Sequence, residues 1–221
     1  LIEYYSLINA NLVVTNNPLK RRNESPITSY SGTKLEKLNK LKKNIESLKN
    51  CDLKKNATNL VFGDGNINAN IMIIGEGPGA QEDMEGKPFV GRAGKLLDKM
   101  LAAIKLDRKK VYISNVVNYR PPSNRKPTDS EIERYLPYLI GHINIIKPKI
   151  LILLGSTALN AIIGNDLVIS KARGKWIQEK IGEVEPWIIA SFHPAFLMRQ
   201  PEQKKFSWID LKLVRDKLKT L

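Results

Sequence analysis

Apolar positions in this chain follow two rhythms, and the changes from one to the other mark its elements. Residues 34–50 place Leu35, Leu38, Leu41, Ile45 and Leu48 at steps of three or four, the spacing of an amphipathic helix. From residue 71 onward short, mostly apolar runs appear, at 71–74, 111–114, 149–154 and 187–191. Between and after them, helical spacing recurs at about 93–104, from Thr128 to about Ile146, over Thr157–Ile163 and at about 204–219. Thr128-Asp129-Ser130-Glu131 has the form of a capped helix start. Gly63-Asp64-Gly65-Asn66 is a turn signal, and Lys171 to Lys180 reads as an extended or hairpin segment. Strands apolar on both faces, alternating with helices, imply a mostly parallel sheet covered on each side, an α/β fold. Residues 1–33 pair a modest apolar stretch with a polar, basic run, Asn16 to Asn23, read as a helix or strand and a loose linker. No internal repeat is visible.

The segment after the first strong strand is the most informative. Gly75 to Gly94, GEGPGAQEDMEGKPFVGRAG, is glycine-rich and carries Glu76, Glu82 and Asp83. Glycines let backbone approach a ligand closely, and a loop between strand and helix is where open α/β sheets build sites. Gly75-Glu76-Gly77-Pro78-Gly79 is not the dinucleotide pattern G-x-G-x-x-G, and Pro78 removes an amide that a phosphate cradle would use. The Walker pattern fails too, because Lys95 is followed by Leu96. Two other strands also end in polar residues, Ser114-Asn115 and Phe192-His193-Pro194. In a parallel sheet these ends share one edge, so Glu76, Asn115 and His193 can face a common crevice. Taken singly, Asn115 fits a turn cap and His193 a turn histidine; three coincident strand ends argue for a site without naming a reaction.

Composition changes the picture in two ways. The 221 residues hold 36 Lys and Arg against 22 Asp and Glu, a net charge of +14. That excess fits a polyanionic partner such as nucleic acid, or simply a lysine-rich composition. The lone cysteine, Cys51, excludes an internal disulfide and any all-cysteine metal site. The chain start has no basic leader or long apolar core, and the longest apolar run, Ile150 to Leu154, is far too short to span a bilayer. The expectation is a cytoplasmic monomer with no membrane association.

Four segments in order carry a resemblance. They are Gly75-Glu76-Gly77-Pro78-Gly79, Gly86-Lys87-Pro88-Phe89-Val90-Gly91-Arg92-Ala93-Gly94, Asn115-Val116-Val117-Asn118-Tyr119-Arg120-Pro121-Pro122 and His193-Pro194-Ala195-Phe196-Leu197-Met198-Arg199. With Arg173-Gly174-Lys175-Trp176, they closely resemble the family 4 uracil-DNA glycosylases over about residues 51–219. The resemblance implies a three-layer αβα sandwich around a mostly parallel four-stranded sheet, occupying residues 51–221 behind a basic, partly helical extension at 1–50. It implies hydrolysis of the N-glycosidic bond of uracil flipped out of DNA, leaving an abasic site. By resemblance, Phe89 stacks on uracil, Asn115 reads its N3–H and O4, and Gly77 lies against it. His193 donates to O2 as charge develops there. Glu82 is the carboxylate expected to hold water, with Glu76 beside it. Arg199, Arg120, Arg125, Arg173 and Lys175 are expected on DNA, which implies salt-dependent binding. Lys95-Leu96-Leu97 directly after Gly94 leaves no room for the insertion of the related covalent uracil-binding branch.

One departure bears on cofactors. The family usually holds an iron–sulfur cluster on four cysteines; the corresponding positions here are Cys51, Lys54, Tyr119 and Tyr135. Thiolates hold such clusters, so no metal or cofactor is expected. The alternative to catalysis is a weakly active or inactive DNA-binding or replication-associated module on the same fold.

Overall fold

The computed structural model describes residues 30–164 and 167–221; the element and linker expected before residue 30 lie outside the described residues. Helix α1 (Lys34–Glu46) starts at a full capping box, Thr33 with Glu36. A short helix α2 (Asp52–Asn56) and the two-residue strand β1 (Asp64–Gly65) lead to β2 (Ile71–Gly75). Helices α3 (Ala80–Glu85) and α4 (Arg92–Ala103), strand β3 (Val111–Asn115) and the long helix α5 (Asp129–Ile146) follow. Then come β4 (Ile150–Leu154), α6 (Ser156–Ile162), α7 (Ile169–Ala172), β5 (Trp176–Gln178) and β6 (Trp187–Ser191). Helices α8 (Pro194–Arg199) and α9 (Lys204–Leu218) close the chain.

The strand order is β1-β3-β2-β4-β6-β5, with β3, β2, β4 and β6 parallel. The sheet therefore has six strands rather than the expected four. The two extra strands are antiparallel edges, β1 on β3 and β5 on β6. They are two and three residues long, too short to show a period in sequence, and they exist because a parallel edge leaves backbone groups to be paired. One loop reading also changes, and one further element appears. The glycine loop contains α3, and the segment after His193 is helix α8, with Pro194 in its first turn, where proline's missing N–H is harmless.

Side chains alternate across β2 into two apolar layers. Met72 and Ile74 join a cluster containing Leu38, Leu41 and Ile45 of α1 and Tyr135, Leu139 and Ile143 of α5. Ile71 and Ile73 join Leu97 and Leu101 of α4 and Leu211 and Val214 of α9. Helix α1 thus buries its stripe in the main core, and its Lys34 donates to the carbonyls of Ile67 (3.3 Å) and Ile146 (3.0 Å).

Candidate active site

The chain runs from β2 to β3 on one side and returns to β4 on the other, so the strand order reverses at β2 and β4. Crevices form at such reversals, beyond the carboxyl ends of the strands. A cavity of about 470 Å³ lies there, lined by Glu76 and Gly77 after β2, Asn115 at the end of β3, and Gly155 after β4. His193 after β6 and Phe89 from the glycine loop complete its walls. Every catalytic and uracil-binding residue expected from sequence lines this one cavity, Glu82 included.

Asn115 and Phe89 are packed against Gly75. A Cβ at Gly75 would lie 2.5 Å from Asn115 Oδ1 and 2.6 Å from the Phe89 ring, so glycine is required there. Asn115 is 3% exposed, and its enclosed Oδ1 has no hydrogen-bond partner. Leaving such an atom unpaired costs on the order of 1–3 kcal/mol, which an arriving donor would recover.

Phe89 adopts φ +55°, a left-handed conformation uncommon for an aromatic residue. Two charged side chains hold it there. Glu82 accepts from the amides of Val90 (3.0 Å) and Gly91 (2.8 Å) through Oε1 and from Gly79 (3.1 Å) through Oε2. From the other side, Arg108 donates to the carbonyls of Pro88 (3.0 Å) and Phe89, while pairing with Asp98 and Asp64. Sequence reasoning missed Arg108, which lies in a polar turn with no motif around it. The Phe89 ring stands 5.5 Å from the His193 ring.

His193 has a defined tautomer. Its Nδ1 accepts from the Ala195 amide at 3.2 Å, which leaves the proton on Nε2 as a donor. Burial pushes its pKa down from 6.5 to about 4; Arg199 acts in the same direction and Glu82 opposes it. The ring is therefore neutral at pH 7.

Glu76 is the other carboxylate on the cavity, and Thr157 donates to its Oε2. Thr157 sits in the first turn of α6 and is 8% exposed. Sequence reasoning missed it because it belongs to the β4 end, which shows no polar run before Gly155.

The basic residues divide. Arg199 and Arg125 line the cavity mouth, and Lys175 is exposed. Arg125 also forks onto Glu131 at 2.7 and 2.8 Å, and Arg120 donates to Asn124 at 2.8 Å. Arg173 turns inward. It pairs with the buried Asp210, lies over the Phe192 and Phe206 rings, and is not presented to a phosphate. Asp210 also accepts from Ser191 at 2.6 Å, so this network pins the end of β6 two residues before His193.

The corner matching the family's cluster does not fit one. Cys51 Sγ lies 3.3 Å from the Tyr135 hydroxyl, and both residues are buried with Tyr119 in the main core. Lys54 donates to the carbonyls of Glu46 and Leu48 at the end of α1. One thiol, two phenols and an ammonium that is already donating cannot replace four thiolates. Burial raises the phenol pKa of Tyr135 and of Tyr119, so neither supplies a phenolate.

Residues 62–215 match the uracil DNA glycosylase superfamily. A type-4 uracil-DNA glycosylase of Archaeoglobus fulgidus is 41% identical over 189 residues, covering 81% of this chain and 92% of that protein. Its counterpart in Sulfurisphaera tokodaii is 42% identical over 187 residues, covering 82% and 85%. A DNA polymerase of Bacillus phage SP01 is 33% identical over 153 residues, covering 69% of this chain and 16% of the polymerase. With these relatives and a strand-end cavity that gathers Asn115, Phe89 and His193, the chain belongs to the uracil DNA glycosylase superfamily, in its type-4 branch.

Proposed function

We propose that this protein removes uracil from DNA by hydrolysing its N-glycosidic bond, leaving an abasic site in base-excision repair. The observation that carries the reading is the enclosed, unpartnered Asn115 Oδ1 on the wall of the cavity that Phe89 and His193 share. An asparagine amide presents one acceptor and one donor, matching uracil's N3–H and O4 and opposing cytosine's reversed pair. Phe89 supplies the stacking face for the flipped base. Neutral His193 donates from Nε2 to uracil O2 as negative charge gathers there, a preorganised oxyanion contact. Glu76 and Glu82 form the carboxylate side, where negative charge favours an oxocarbenium-like sugar. Arg199, Arg120, Arg125 and Lys175 are the candidates for DNA phosphates. The reading takes the protein as a monomer acting in the cytoplasm without an iron–sulfur cluster.

A uracil-containing oligonucleotide tests it, with alkali-labile strand breaks as the product. Asn115→Ala is expected to lower kcat/KM roughly a hundredfold, the loss of two hydrogen bonds at about 1.4 kcal/mol each, and to weaken discrimination against cytosine. No product at high enzyme excess would defeat the proposal. A second reading, a replication-associated DNA-binding module without catalysis, is favoured by the likeness to the phage DNA polymerase. It requires DNA binding with no base release, so the same assay separates the two.

A further inference from the structure

The two carboxylates on the cavity are not equivalent. Glu82 has three backbone amides on its carboxylate, from Gly79, Val90 and Gly91, and both of its oxygens are engaged in holding the Phe89 loop. Glu76 has one partner among the described residues, the Thr157 hydroxyl on Oε2. Its Oε1 has none, and the residue lines the cavity. Resting on the glycosylase reading, in which Glu76 is a catalytic carboxylate of the cavity, we propose that Thr157 is the positioning residue that aims Glu76 at the water it deprotonates.

The fold explains why this hydroxyl reaches this carboxylate. β4 pairs with β2 on one side and β6 on the other, so the chain leaving β4 passes between Glu76 and His193. Gly155 turns it at φ +92°, where a Cβ would stand 3.2 Å from His193 Cβ. The first turn of α6 then places Thr157 over the end of β2, and its burial fixes the hydroxyl. A hydrogen bond to Oε2 locks the carboxylate torsion and leaves Oε1 without a partner among the described residues, the kind of fixed orientation on which proton transfer depends. In the step itself, the water oxygen bonds C1′ of the deoxyribose as the C1′–N1 bond breaks. The bond's electron pair leaves on uracil, shared with O2 under His193, and the released water proton passes to Glu76.

The test is excision kinetics on a single-stranded uracil oligonucleotide with Thr157→Val, Thr157→Ser, Glu76→Gln and the Glu76→Gln/Thr157→Val double variant. Thr157→Val is expected to lower kcat at least about tenfold, since an unaimed base forfeits part of its general-base contribution. KM should stay within about twofold, as for an interaction made only in the transition state. Thr157→Ser, which keeps the hydroxyl, should restore kcat and controls for folding. In the Glu76→Gln background, Thr157→Val should add no further loss, because residues acting as one unit are not additive. Full kcat in Thr157→Val, a rise in KM alone, or losses that multiply across the double variant would overturn the proposal. Absence of uracil release by the unsubstituted chain would instead overturn the glycosylase reading, and this inference with it.

Discussion

At the scale of single residues, His193 shows how enclosure sets chemistry. An exposed imidazole would be partly charged in mild acid, and a charged ring would donate from both nitrogens. Here Nδ1 must accept from the Ala195 amide, and the pKa lies near 4 rather than 6.5. A lowered histidine pKa means the neutral form persists as the medium acidifies. Single-turnover excision should therefore show no loss centred near pH 6.5, and a decline with that midpoint would contradict the assignment. Phe89 makes a related point. Its identity and motif are legible in sequence, but its left-handed backbone depends on Glu82 and on Arg108, which carries no signal of its own. Arg173 was legible as a basic residue beside the family motif, yet its partner Asp210, on a distant helix, turns it into the core.

At the scale of elements, the helices over 34–46, 92–103, 129–146 and 204–218 were legible because each has enough residues to display a period, and the four central strands because each is a short, mostly apolar run. What escaped was short: β1, α2, α3, α7 and α8, each of six residues or fewer, while β5 lies within the extended segment read over 171–180. Such elements are fixed by neighbours and by single contacts rather than by their own pattern. The corner between α1 and α5 is another case. Arg134 donates to the carbonyls of Lys49 and Asn50, Tyr135 meets Cys51, and Lys54 closes the end of α1. These contacts tie the corner with ordinary hydrogen bonds and packing. Purified protein is accordingly expected to contain no stoichiometric iron and to lack a broad visible absorption band. Iron at cluster stoichiometry by metal analysis would contradict this.

At the scale of the whole molecule, two buried histidines couple folding to acidity. His142 meets the Tyr112 hydroxyl at 2.9 Å and stacks on Phe62 at 4.4 Å, and burial pushes its pKa from 6.5 to about 3. The folded state thus binds fewer protons than the unfolded chain. This contribution is fully present above pH 6.5 and is lost as pH falls toward 3. Between pH 7 and 5, His142 should remove about 2 kcal/mol of unfolding free energy, measurable by urea denaturation. His142→Gln should flatten that slope; an unchanged slope would mean the ring is not held neutral.

Residue spacing and motifs alone settle the α/β class, the family, and the three strand ends that meet at the cavity. Periodicity and motifs are local, and each of these signals sits within a few residues. Tertiary structure decided which side chains act on one another across the sheet. It placed β4 between β2 and β6, and so Thr157 on Glu76. It also tied Glu82 to the Phe89 loop and Arg173 to Asp210. Strand order and loop path set those distances, and neither is written in the spacing of residues along the chain.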